Sequence, residues 1–275
     1  MTAFAEAVAA GTIGGRLWFY ANYHCNLTCT YCLTESSPNA ERRVLDAETI
    51  RQVADAAVAQ GVTSFGVTGG EPFLRPDMVD VLLMLAERLP VLVLSNATLF
   101  GGRVLEDVKR LAGSRVAIQI SLDSATPDEN DEMRGPENFA KVVDAIPKLI
   151  ALGITVRIAT TGDHGTPAEK ADLCALHRSF GITDDDHVVR PIVHRGRAAS
   201  NDLGVYATAA DLPAELTVTR DGAFWSPFGP TVQGGRLDLD LLLSRTVYPL
   251  EIPINAMLEV AGRKPGGGNA TLAIR

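Results

Sequence analysis

From residue 15 to about residue 192, short apolar runs alternate with segments whose apolar residues recur every three or four positions. The runs Leu17–Ala21, Ser64–Thr68, Val91–Ser95, Val116–Leu122, Thr155–Thr160 and His187–Ile192 are rich in Val, Ile or Leu, and several lack strict alternation. Such runs fit strands buried on both faces. Between them, Ile50, Val53 and Ala57, or Phe139, Val142, Val143, Ile146, Leu149 and Ile150, mark helices with one apolar stripe. Asp46 is placed to cap the first helix, Gly61 to end it, and Pro76 to open the first turn of the second. Pro147 is expected to kink or divide the fourth, because its ring removes a backbone donor. Strand–helix alternation requires right-handed crossovers and a parallel sheet. Six such units predict an α/β fold, a partial (βα)6 TIM-like barrel.

After about residue 195 the pattern changes. Leu216–Val218, the turn Arg220-Asp221-Gly222 and Ala223–Trp225 predict a hairpin, followed by helical stretches near Leu237–Leu243 and Ile254–Val260. The expected organisation is a barrel domain over residues 1–197 and a small hairpin and helix extension over 198–275, with a mobile glycine-rich tail at 265–269.

A chain of 275 residues that is 46% hydrophobic has ample material for a core. The balance of 25 basic against 33 acidic residues argues against nucleic acid as a partner, since a phosphate backbone is held by excess positive charge. The longest apolar runs are far shorter than the ~18 residues of a membrane span. Residues Met1–Ala10 carry Glu6 and no Lys or Arg, so a basic signal flank is missing and a cytoplasmic location is expected. Of four cysteines, Cys25, Cys29 and Cys32 fall within eight residues, a pattern of metal ligation in a reducing compartment and not of a disulfide scaffold.

These three are spaced C-x3-C-x2-C directly after the first predicted strand. Thiolates suit zinc or iron–sulfur clusters, and this spacing wraps three sulfurs around one centre. A structural zinc wants four ligands. Cys174 lies far away on a predicted helix, and His24 is poorly placed beside Cys25. Three thiolates on a cubane instead leave one iron open to a small molecule.

With Tyr31 before the last cysteine, the motif resembles that of the radical S-adenosylmethionine (SAM) enzymes, over roughly residues 15–195. The resemblance implies a [4Fe–4S] cluster on Cys25, Cys29 and Cys32, with SAM chelated to the fourth iron. It also implies reductive cleavage of SAM to methionine and a 5′-deoxyadenosyl radical that takes hydrogen from a substrate. An electron donor such as flavodoxin or ferredoxin is implied as a partner. Gly69-Gly70-Glu71-Pro72 resembles the family's GGEP motif. Paired glycines allow close backbone approach, and Glu71 is expected to hold the SAM amino group. Ser95 and Asn96, and Ser121 and Asp123, end the third and fourth strands and are carried over by position as contacts to the SAM ribose and carboxylate. Arg157, in an apolar fifth strand, is a candidate partner for that carboxylate, or else an outward arginine with a packed stem. The cysteines, GGEP and these polar residues all follow predicted strands, where parallel sheets bind ligands.

The stretch Pro191 to Gly196-Arg197-Ala198 is similar to radical SAM enzymes carrying a SPASM or twitch extension, a subgroup of peptide maturases and cofactor-biosynthesis enzymes. Here Asp221-Gly222 is followed by Pro227-Phe228 where that subgroup has Pro-Cys, and no cysteine occurs after Cys174, so thiolate-bound auxiliary clusters are excluded from the C-terminal region. Phe224, Trp225 and Phe228 are expected over the barrel mouth or in a satellite core. Arg190, Arg195 and Arg197 around His194 form a basic cluster that is expected either to meet an anionic substrate or to pair with Asp184-Asp185-Asp186. The expected function is hydrogen abstraction from a peptide or small-molecule substrate in a biosynthetic modification. A radical SAM methyltransferase and a non-catalytic iron–sulfur protein are the alternatives.

Overall fold

The computed structural model describes residues 1–162 and 166–263; His164 and the tail at 265–269 lie outside the described residues. The chain starts with α1 (Ala3–Ala9), then alternates β1 (Arg16–Tyr20), α2 (Ala47–Gln60), β2 (Ser64–Thr68), α3 (Met78–Ala86), β3 (Val91–Ser95), α4 (Gly102–Val108) and β4 (Val116–Ser121). Two helices follow, α5 (Pro127–Arg134) and α6 (Asn138–Ala151), then β5 (Thr155–Thr161), α7 (Pro167–Ser179) and β6 (His187–Arg190). Strands β1 to β6 are mutually parallel and adjacent in chain order. This is the α/β partial barrel that the period pattern predicts, since Phe65, Val67, Val93, Ile118, Ile120 and Ile158 are wholly buried.

Local chemistry sets the element ends. Asp46 accepts the Thr49 amide at 2.8 Å and caps α2, and Gly61 closes that helix with φ +92°. Pro147 does not divide α6: the ring sits on the exposed face while Ile146 and Leu149 stay fully buried, so packing holds the helix through the lost donor. The sixth strand stops at Arg190 instead of Ile192, because Pro191 brings no amide to the ladder.

After β6 come α8 (Arg197–Ser200), β7 (Thr217–Thr219), β8 (Gly222–Phe224), β9 (Val232–Gln233), β10 (Arg236–Leu237), β11 (Leu242–Ser244) and α9 (Glu251–Arg263). Strand β7 pairs in parallel with β1, and β8 and β11 continue beyond it, so one nine-stranded sheet crosses the boundary expected at residues 197/198. The helix expected at Leu237–Leu243 is absent. That segment alternates Leu237, Leu239 and Leu241 with Asp238 and Asp240, a period of two that belongs to strands β10 and β11 and the turn between them. The helix expected near Ile254–Val260 is found within α9.

Candidate active site

The segment between β1 and α2 carries all three clustered cysteines and is held mainly by partners elsewhere in the chain. Arg197 donates to the carbonyls of Cys29 and Ser36, and its own amide donates to Cys32. Val232 donates to Leu33, and the amides of Gly234 and Gly235 donate to the Glu35 carboxylate. The cysteine-free C-terminal segment therefore braces the cysteine loop.

Gly70 packs so tightly under this loop that a Cβ there would lie 2.1 Å from the His24 carbonyl oxygen. At Gly69, φ is +147° and a Cβ would lie 2.4 Å from the Asn22 carbonyl oxygen. The paired glycines thus let the end of β2 lie directly against the cysteine loop.

A cleft of ≈ 1130 Å³, open solvent at its mouth included, lies at the carboxyl ends of the parallel strands. Cys25, Cys29, Cys32 and Tyr31 line it with Gly69, Gly70, Ser95, Asn96 and Ser121, so nine of the expected site residues share one wall. Leu94, Ile192, Val193, Pro227 and Phe228 supply apolar surface. Phe224, Trp225 and Phe228 all belong to the main core, and of the three only Phe228 also lines the cleft.

Four expected residues are placed elsewhere. Glu71 is fully buried behind the wall, its carboxylate accepting from Ser95 Oγ at 3.0 Å, Asn96 N at 2.8 Å and Phe73 N at 3.1 Å. Pro72 opens a short 3-10 turn beneath it. Asp123 is 2% exposed, and its oxygens are taken by Arg134 at 3.0 Å, the Thr161 amide at 2.8 Å and the Tyr31 hydroxyl. It instead borders a second, acidic cavity with Glu129, Glu132, Glu169 and Asp172. Arg157 pairs with Asp186 at 3.3 Å, in the turn leading into β6, and does not line the cleft. The acidic turn supplies its partners, with Nη2 also donating to the Asp185 carbonyl at 3.4 Å.

The basic cluster around His194 also separates. Arg195 binds Asp238 and Asp240, Arg197 binds the cysteine loop, and Arg190 reaches the cleft wall, where it donates to Thr161 Oγ1 at 3.3 Å. Burial pushes the Arg190 pKa down. Arg134 lines the wall too, bonded to Tyr31 and Asp123. Of the two, only Arg190 is marked in the sequence, by the basic cluster around His194; Arg134 is brought to the wall by tertiary packing alone. Cys174 lines neither cavity.

The donor set tests what this cleft can hold. Burial pushes the Cys25 thiol up to about 12 and also raises Cys29, so binding a cation there would have to displace the thiol protons. Among the described residues, no three His, Cys, Asp or Glu side chains converge on a single ion. Cys25, Cys29 and Cys32 nevertheless line one open cleft, and thiols are the soft donors that hold iron–sulfur clusters.

The model of the Radical SAM superfamily matches residues 21–176. The chain belongs to this family. Its members bind a [4Fe–4S] cluster and SAM, and the thiols and glycine cradle of this radical SAM enzyme fit both. It is 33% identical over 185 residues to the antilisterial bacteriocin subtilosin biosynthesis protein AlbA of Bacillus subtilis (strain 168), covering 64% of this chain and 41% of AlbA. It is 32% identical over 192 residues to the mycofactocin maturase MftC of Mycobacterium ulcerans (strain Agy99), covering 68% of this chain and 50% of MftC. The chain therefore spans half or less of these relatives. In fold it is similar to native anSMEcpe with bound AdoMet, with a TM-score of 0.63, 13% identity and coverage of 90% and 84% of the two chains. Streptococcus suis SuiB bound to precursor peptide SuiA gives a TM-score of 0.58 at 18% identity, covering 76% of this chain and 46% of SuiB.

Proposed function

We propose that this radical SAM enzyme abstracts hydrogen from a peptide or small-molecule substrate in a biosynthetic modification. The observation that carries this reading is the single cleft that gathers three thiols, the Gly69-Gly70 cradle, Ser121, Arg134 and Arg190 beside apolar surface. When bound, the cluster and SAM supply reductive cleavage of the sulfonium and a 5′-deoxyadenosyl radical as hydrogen acceptor.

The protein's own part is holding and orienting. Cys25, Cys29 and Cys32 bind iron as thiolates. Gly69 and Gly70 line the cleft and let the end of β2 lie against the cysteine loop, while Ser121, Arg134 and Arg190 offer donors to the SAM carboxylate and ribose. Glu71 acts from behind, fixing Ser95 and Asn96. Leu94, Ile192, Val193 and Phe228 keep water from the reacting atoms. The reducing electron is assigned to a donor of the flavodoxin or ferredoxin class.

The names of the relatives favour a peptide. Subtilosin is a bacteriocin, and SuiB has been solved with a precursor peptide. A small molecule is the alternative raised by a probable GTP 3′,8-cyclase of Archaeoglobus fulgidus, 34% identical over 131 residues.

The test is anaerobic reconstitution with iron and sulfide, addition of SAM and dithionite, and quantification of 5′-deoxyadenosine against a Cys25/Cys29/Cys32 triple-alanine variant. Product that depends on the three cysteines supports the enzyme. A stable cluster whose EPR signal is blind to SAM, with no 5′-deoxyadenosine, overturns it.

A further inference from the structure

The side chain of Asn96 is spoken for on every side. Its amide nitrogen donates to Asn26 Oδ1 at 3.0 Å, and Asn26 Nδ2 donates to Thr98 Oγ1 at 2.7 Å. The Thr98 hydroxyl closes the ring by donating to Asn96 Oδ1 at 2.7 Å, and the Thr98 amide donates to the same oxygen at 3.0 Å. This cycle runs in one direction only. Reversing the Asn96 amide would set its NH2 against the Thr98 backbone amide, a fixed donor, so that contact decides which end is nitrogen.

The second proton on that nitrogen points to Cys25 Sγ, 3.6 Å away. The backbone is fixed as well, since the Asn96 amide donates to Glu71 Oε2 at 2.8 Å and the residue is 6% exposed. Cys25 Sγ also accepts from the Leu27 amide at 3.4 Å. The other two thiols are differently placed: Cys29 faces the Arg134 carbonyl at 3.8 Å and Cys32 the Thr34 hydroxyl at 3.6 Å. Among the described residues, two nitrogen donors therefore converge on Cys25 alone of the three.

We infer that Asn96 is a positioning residue that tunes the electron affinity of the cluster through Cys25 and does not serve as a SAM contact. This rests on the reading of Cys25, Cys29 and Cys32 as cluster ligands. An N–H donor on a ligating sulfur draws charge from it and stabilises the reduced cluster, raising its reduction potential. Asn96 can do this without moving, because the hydrogen-bonded ring has already oriented it. Contact with a ribose hydroxyl would require breaking that ring.

The test is an EPR-monitored redox titration of reconstituted wild type, Asn96→Asp, Asn96→Ala and Thr98→Val, each checked for iron content, with SAM binding read from the SAM-induced change in the spectrum. Asn96→Asp keeps the shape, removes the donor and adds charge, so its midpoint should fall furthest. Asn96→Ala should fall less, and Thr98→Val, which only loosens the ring, least. SAM affinity should stay at the wild-type level in all. Thr98→Val keeps the inference testable if the Asn96 variants lose cluster. Unmoved midpoints overturn the inference, as does a tenfold loss of SAM affinity at constant midpoint, which would return Asn96 to the ligand wall. Failure of wild type to show any [4Fe–4S] signal overturns the cluster assignment itself, an outcome distinct from the other two.

Discussion

Arg197 Nη1 lies 2.6 Å from the carbonyl oxygen of Cys29, while Nη2 of the same guanidinium reaches the Ser36 carbonyl at 2.9 Å. One planar fork thus ties two points of the cysteine loop to the start of α8. Lysine offers a single point charge and cannot span both. Arg197→Lys should therefore lower stability by about 1.5–3 kcal/mol, the range for hydrogen bonds to a charged group. The reconstituted variant should also lose iron faster to a chelator than wild type. Urea midpoints and iron release rates check both, and equal release rates would remove Arg197 from the support of this loop.

Glu71 carries a pH signature. Burial pushes its carboxyl up to about 7 from the ordinary 4.5, against the pull of the Asn96 and Phe73 amides and the Ser95 hydroxyl. The folded chain then retains a proton between pH 4.5 and 7 that the unfolded chain has lost, so this group's contribution is fully present below 4.5 and declines as pH rises to about 7. The amplitude is about 3 kcal/mol at most. In Glu71→Gln this slope should vanish. Urea unfolding of the metal-free protein at pH 5, 6 and 7 measures it, and a slope unchanged in the variant would assign the proton elsewhere.

His177 acts in the opposite sense. It is 1% exposed against His187, with ring centroids 4.0 Å apart, and burial followed by the His187 charge pushes its pKa down to about 3 from 6.5. The folded state keeps this ring neutral while the unfolded chain takes a proton below pH 6.5, so stability is lost as pH falls from 6.5 toward 3. The loss is of the order of 5 kcal/mol if the ring stays buried throughout. His177→Phe should flatten that acid limb in denaturant titrations between pH 7 and 4, whereas His187→Phe should leave most of it.

The residues that were legible in the sequence share one property: their role is decided by neighbours close along the chain. Buried strands such as Val91–Ser95 announce themselves by continuous apolar runs, and Cys25, Cys29 and Cys32 by spacing. Side chains at a strand end are different. Ser121 lines the cleft while Asp123, two residues on, turns behind it toward Arg134 and Thr161, a choice made by the partner that arrives from α5. Glu71 follows the same logic, since three donors from β3 and the next turn draw its carboxylate inward. The pairing of Arg157 with Asp186 and the burial of Arg190 depend on β5 meeting β6, which no local window contains.

Gly70 offers a direct test of the contact between β2 and the cysteine loop. A Cβ there would lie 2.1 Å from the His24 carbonyl oxygen and 2.9 Å from that of Tyr23, both backbone atoms that cannot swing aside. Gly70→Ala must push the loop off the strand end, at a cost of about 1–3 kcal/mol or more by analogy with overpacked cores. Because Cys25 follows His24 directly, the displacement should also cut cluster incorporation and SAM binding together. Gly262→Ala on α9, where a Cβ meets nothing within 4 Å, controls for the generic effect and should gain about 0.5–1 kcal/mol from helix propensity. Thermal melts and iron content of the two variants decide the matter. Normal cluster loading in Gly70→Ala would show that the loop tolerates displacement and that the tight packing serves stability alone.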